Sequence, residues 1–271
     1  MNKNRVWKYV VLFMFPILML LSCDEEPENP KNVTGNISSA DTIKTLESDT
    51  IAVLTEREFP VLNTENAQEF LLQYFNDNPE RKIKLTTRMG VIKFRLFDDT
   101  PIHTANFLML TKREYFNNTE FTRVLKNFVV QGGNNDREEE DFKRILIGKY
   151  ELLPEIKTKH LHKKGALAMA RRYTENPDKH SSAYNFYFVQ GQTFNEPQLM
   201  AIERDNSIVI PEWKRKIYRN IGGAPHLDGE HTVFGEIYEG LDVLEKMSLV
   251  QTDQSDWPLE PLVMEMEVIY D

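Results

Sequence analysis

The 271-residue chain has a single cysteine, Cys23, so no disulfide can form within it. It also lacks a positive balance: 33 Lys and Arg stand against 42 Asp and Glu, for a net charge of -9. That argues against a nucleic-acid partner, because binding phosphates takes a basic face. Beyond the N-terminal region no apolar run is long enough to cross a bilayer. There is no Gly-x-Ser-x-Gly elbow and no phosphate-binding loop, and the six histidines are scattered, so acyl and phosphoryl transfer have no visible apparatus. Neither a metal nor another cofactor is expected. His160 and His162 could share an ion, but no third ligand lies nearby. The acidic run Asp136–Asp141 lacks the glycine around which a calcium loop turns, and 134–141 reads as a solvated loop.

The 41% of hydrophobic residues suffices for a real core, and the length allows one large β-type domain with extensions. At the N-terminus Lys3, Arg5 and Lys8 precede an apolar run from Tyr9 to Leu21, the pattern of a secretion leader rather than of a membrane span. It closes on Leu20-Leu21-Ser22-Cys23, which resembles the bacterial lipobox. This implies a leader over 1–22, a lipid on Cys23 and a protein anchored in a bacterial envelope, at the outer membrane, on its periplasmic or surface face. Residues 23–62, rich in Asp, Glu, Asn, Ser, Thr and Pro, read as a flexible tether. The run Asp24-Glu25-Glu26 is either a sorting signal or a solvated linker start. The Asp-Thr-Ile triplets at Asp41 and Asp49 weakly resemble O-glycan acceptors.

From there the periodicity changes. Asn63 or Thr64 can cap a helix to about Asn76, with Ala67, Phe70, Leu71 and Phe75 on one face, and 63–80 is read as a brace. Arg81–Thr87 and Val91–Leu96 alternate as a hairpin around Met89-Gly90. Pro101 opens a helix through Tyr115. The stretch from Thr119 alternates as a half-buried strand, placing Phe121, Arg123 and Leu125 on one face. Burying an arginine there is costly unless it finds partners or faces a groove. Gly132-Gly133 marks backbone that needs positive φ or a close approach. A helical run, Glu212–Arg219, lies within the long segment 192–224; Gly240–Met247 reads as a late helix and Leu262–Ile269 as a closing strand.

Several blocks carry a resemblance. Phe121-x-Arg123-Val124, then Phe128, then Gln131-Gly132-Gly133, is similar to the active-site strand of the cyclophilins, which isomerise X-Pro peptide bonds. Asn106-Phe107-Leu108 matches a helix of that family. Gly165-Ala-Leu-Ala-Met169-Ala170-Arg171 and Leu227-Asp-Gly-Glu-His231-Thr-Val-Phe-Gly235 match two further blocks. The resemblance covers 81–271 and implies a mainly β fold with helices, a closed antiparallel barrel capped by two helices, with 192–224 as an insertion. It implies isomerisation of proline-containing unfolded or flexible polypeptides, in aid of the folding of exported proteins, by a monomer. Carried over by position, Arg123 is the catalytic donor. Phe128, Val129, Tyr187 and Leu227 line the proline pocket, with His231 at its wall; Gln131, Ala170, Arg171 and Asn185 hold the substrate backbone.

The chain departs from the family pattern at four places. Val129 stands where methionine is usual and Tyr187 replaces a phenylalanine, adding a hydroxyl that needs a partner. Asn185 is one methylene shorter than the usual glutamine. His226 stands in for a tryptophan that aids cyclosporin binding, so weak drug affinity is expected. The contrasting reading is a cyclophilin-fold module that grips chains with little catalysis. The insertion reads as decoration, with a substrate or partner contact as the alternative.

Overall fold

The structure, a computed structural model, describes residues 59–134 and 138–270. The leader, Cys23, the acidic run after it and the Asp-Thr-Ile triplets lie outside them. The last residues of the expected 23–62 tether are packed on the domain. Phe59 packs against Phe70 and Tyr74, and Leu62, 1% exposed, donates its N–H to the Ile147 carbonyl at 2.7 Å. Burial of Leu62 and partial burial of Phe59 explain the difference.

Helix α1 (Ala67–Asp77) buries Ala67, Leu71 and Tyr74 and packs on α2 (Pro101–Lys112). The hairpin β1 (Lys82–Thr87) and β2 (Gly90–Leu96) forms where alternation places it. Helix α2 is buried nearly all round. Its Asn106 donates to the Ala183 carbonyl at 2.7 Å and accepts from the Tyr150 hydroxyl at 2.7 Å, so a polar side chain inside the core has its partners.

The remaining strands are β3 (Glu120–Val124), β4 (Val129–Asn134), β5 (Glu151–Leu152), β6 (Ala166–Met169), β7 (Ser181–Ser182), β8 (Phe186–Val189), β9 (Val233–Glu239) and β10 (Glu265–Ile269). Eight form one antiparallel sheet in the order β10-β1-β2-β9-β6-β8-β4-β3, and β5 pairs with β7. The sheet curls into a half-barrel, not the expected closed barrel. Its edge strands β3 and β10 share no ladder; the ends meet just before β10, where Glu120 bridges Val263, Phe121 donates its N–H to the Leu262 carbonyl at 3.0 Å and Met264 donates to the Thr119 carbonyl at 2.9 Å. These contacts lie before β10 and leave β3 and β10 unpaired, whereas a closed barrel needs a continuous strand register around the ring. The concave side holds an aromatic core around Phe107, whose ring meets Phe116, Phe186 and Phe234 at 4.7–5.4 Å.

Three sequence expectations change. The second half of the 134–141 loop is helix: α3 runs Glu138–Ile147. The ladder β3–β4 shifts register between Phe121 and Arg123, a bulge that puts Phe121 in the core and Arg123 outside, so the two do not share a face. Finally, the insertion holds two helices, α4 (Glu196–Asn206) and α5 (Glu212–Asn220), followed by a 3₁₀ turn, Pro225–Leu227. The late helix α6 is Leu241–Met247.

Candidate active site

Antiparallel partners present their side chains to the same face. Register therefore lays one row across five strands: Arg123 of β3 opposite Gln131 of β4, Gln131 opposite Tyr187 of β8, Tyr187 opposite Ala168 of β6, and Ala168 opposite Val233 of β9. This face is the one turned away from the aromatic core. On it Val129, Tyr187, Leu227 and Val233 form a second apolar cluster, with Phe128 and Ala170 packed against its margin. The sequence-predicted pocket residues thus come together, and Arg123 stands at the open end of their row.

Arg123 is about half exposed, and its Nε makes a loose ion pair with Asp256 at 3.5 Å. Among the described residues its guanidinium makes no hydrogen bond, so its donors are available to a ligand. At the other side, His231 is 7% exposed. Its Nδ1 lies 3.1 Å from the Met169 carbonyl and its Nε2 2.7 Å from the Tyr173 hydroxyl. A carbonyl can only accept, so Nδ1 donates and Nε2 accepts from Tyr173. Burial lowers its pKa to about 4, and the ring is neutral at pH 7. It meets Tyr187 edge-on at 5.5 Å. His226 stacks on Phe128 at 5.3 Å.

The extra hydroxyl of Tyr187 has its partner: His162 Nε2, at 3.1 Å. Nothing in the His160-Leu161-His162 triplet announced this role. His160 instead pairs with Asp99 at 2.7 Å and stacks on Phe97 at 4.2 Å, while Leu161 joins the insertion's core. The three side chains go to three different places, and among the described residues no group of three or more His, Cys, Asp or Glu side chains could hold a metal ion.

Gln131, Ala170, Arg171 and Asn185 line a neighbouring cleft of about 1270 Å³, together with Val61 and Tyr184. Arg171 departs from its expected use. Its side chain is 5% exposed and bound to Glu230, with Nε donating to the Glu230 carbonyl at 2.7 Å and Nη1 to the Arg172 carbonyl at 3.1 Å. It also lies over the Tyr173 ring at 4.3 Å. A guanidinium so engaged orients Tyr173 and, through it, His231, leaving its main chain for any contact with substrate. The Tyr173–His231 contact was missed from sequence, because Tyr173 sits in a polar loop with no periodicity to flag it.

The family profile described as cyclophilin type peptidyl-prolyl cis-trans isomerase/CLD matches residues 82–268. The chain belongs to the cyclophilin-type peptidyl-prolyl isomerases. A provisionally named peptidyl-prolyl cis-trans isomerase of Staphylococcus saprophyticus is 31% identical over 208 residues, covering 76% of this chain and 95% of its own. A protein of the same provisional name from Staphylococcus aureus is 30% identical over 190 residues, covering 69% of this chain and 90% of its own. The crystal structure of a cyclophilin-type isomerase from Cryptosporidium parvum aligns with a TM-score of 0.51 at 21% identity, over 71% of this cyclophilin and 99% of that chain. A second structure of that protein was obtained in the presence of the dipeptide Ala-Pro, with a TM-score of 0.51 over 70% of this cyclophilin and 100% of that chain.

Proposed function

We propose that this cyclophilin isomerises X-Pro bonds without covalent chemistry, with Arg123 as the donor and the cluster of Phe128, Val129, Tyr187, Leu227 and His231 as the seat for the proline ring. The observation that carries this is the cross-strand row, which sets a guanidinium held only by a loose ion pair with Asp256 at the edge of an apolar surface. Rotation about the amide costs about 18–20 kcal/mol because resonance is lost. In the twisted state the nitrogen regains a lone pair and the amide becomes less dipolar. A hydrogen bond donated to that nitrogen, or one steadying the carbonyl, favours the twisted state over the planar one, and an apolar seat favours the less polar species. A thousandfold acceleration requires only about 4 kcal/mol. One charge-assisted hydrogen bond supplies about 1.5–3 kcal/mol, and positioning supplies the remainder.

Arg123→Ala is the test, read in a proline-peptide isomerisation assay. The expected result is a fall in kcat/KM of roughly 10–100-fold with unchanged melting temperature, since the side chain is half exposed. Activity equal to wild type would remove Arg123 from the chemistry. A wild-type chain that binds proline peptides without isomerising them would leave the module that grips rather than turns over.

We further propose that the protein is a lipid-anchored envelope isomerase acting on exported chains. The support is the leader pattern ending at Cys23. Residues 81–271 would form the isomerase domain, with its insertion at 192–224, and the protein would act as a monomer.

A further inference from the structure

The insertion is built into the pocket wall. Its helices α4 and α5 close a small core in which Leu199, Ile210 and Tyr218 pack on Leu161, and Ala224 donates its N–H to the His162 carbonyl at 2.8 Å. From α5, Lys214 Nζ donates to Asp228 Oδ2 at 2.9 Å, with the two side chains only 14% and 8% exposed. Asp228 directly follows Leu227 of the pocket. Its Oδ1 accepts from the His162 backbone N–H at 2.9 Å and from His162 Nδ1 at 3.2 Å. His162 is fully buried. With its Nδ1 proton given to a carboxylate, Nε2 keeps a lone pair and accepts from the Tyr187 hydroxyl.

We propose that Lys214 is a positioning residue of the proline pocket, acting through Asp228 and His162 to fix the direction of the Tyr187 hydroxyl. The inference rests on reading this surface as the proline seat. A buried carboxylate must be balanced, and Lys214 balances Asp228 without asking His162 for a proton. Take the ammonium away, and His162 is the adjacent group able to compensate by becoming imidazolium. Both ring nitrogens then donate. Tyr187 must turn from donor to acceptor, and its hydrogen must find another direction, next to the apolar face. The titratable groups facing His162 are Asp228, Lys214, Tyr187, Tyr218, His226 and His231. Burial lowers the pKa of His162, with Asp228 opposing and Lys214 reinforcing the shift. Burial also lowers the two other histidines, so Asp228 is the group drawing a proton to His162 and Lys214 is the charge that offsets it.

The experiment compares the purified full chain with Lys214→Met, Lys214→Arg and Lys214→Met/Tyr187→Phe. Two readouts are followed from pH 5 to 8: kcat and KM for a proline peptide, and the ¹⁵N resonances of the His162 ring. In wild type His162 should be neutral at pH 7, protonated on Nδ1 and accepting at Nε2. In Lys214→Met its titration midpoint should rise by about one pH unit, and kcat/KM should fall about threefold or more towards pH 6 where wild type is level. Lys214→Arg should restore the level profile, and adding Tyr187→Phe should remove the acid fall, since no hydroxyl is left to turn. A midpoint identical in wild type and Lys214→Met overturns the inference, as does a wild-type ring protonated on Nε2. Should Lys214→Met not fold, the wild-type tautomer and the Lys214→Arg profile still decide. A wild-type chain without isomerase activity defeats the functional reading, whereas the ring resonances judge this inference independently of turnover.

Discussion

His231 shows how a residue carried over from a family motif acquires properties that the motif does not state. Its neutral ring is held by Met169 and Tyr173, and burial lowers its pKa from 6.5 to about 4. In the unfolded chain the same imidazole binds a proton near its ordinary pKa. Between about pH 6.5 and 4 the unfolded state therefore holds more protons, and stability must fall as pH falls through that window. The full effect of this one group is at most about 3 kcal/mol, and His162 and His226, also lowered by burial, act in the same direction. Chemical denaturation at stepped pH should show the decline, and His231→Gln should have a shallower slope across the window. Equal slopes would mean that the ring is not held neutral. Arg171 makes a related point: its position in the motif was readable, but its capture by Glu230 was not, because that contact joins loops 59 residues apart in sequence.

At the scale of elements, the glycine pair after Gln131 was legible as a close approach, and the geometry states the reason. Gly133 has φ +100°, and a Cβ there would sit 2.2 Å from the Tyr184 carbonyl oxygen. Gly133→Ala should cost on the order of 3 kcal/mol through backbone strain and displacement of the β8 approach, read as a lower melting temperature; a loss below about 1 kcal/mol would contradict the observed backbone. The hairpin, α2 and the late helix were equally legible, since local periodicity dictates them. The β3 bulge was not, because a register shift is a property of two strands and alternation in one strand cannot report it. Helix α4 had a signal that went unread. Asn195 and Gln198 form a reciprocal capping box with Pro197 in the first turn, a start pattern visible in the residues themselves. The partners of Tyr187 lay beyond sequence reasoning, since His162, Asp228 and Lys214 converge only when the insertion folds back on the sheet.

For the whole molecule, the curl of one sheet separates two duties: the concave face carries the aromatic core, and the opposite face carries the row from Arg123 to Val233. Chemistry at the outer face can therefore be altered without opening the core. Val61 and Thr64 line the same 1270 Å³ cleft as Gln131, Arg171 and Asn185. Every residue assigned to catalysis lies well after the proposed anchoring cysteine. Anchor and catalyst should then be separable. Cys23→Ser should abolish incorporation of labelled fatty acid and move the protein from the membrane to the soluble fraction, with kcat/KM for a proline peptide unchanged. A single acyl chain gives only marginal membrane binding, whereas two or more give stable anchoring, so the shift in fractionation should be nearly complete. Membrane association that persists in Cys23→Ser, or wild-type protein that takes up no label, would sink the anchoring proposal while leaving the isomerase untouched.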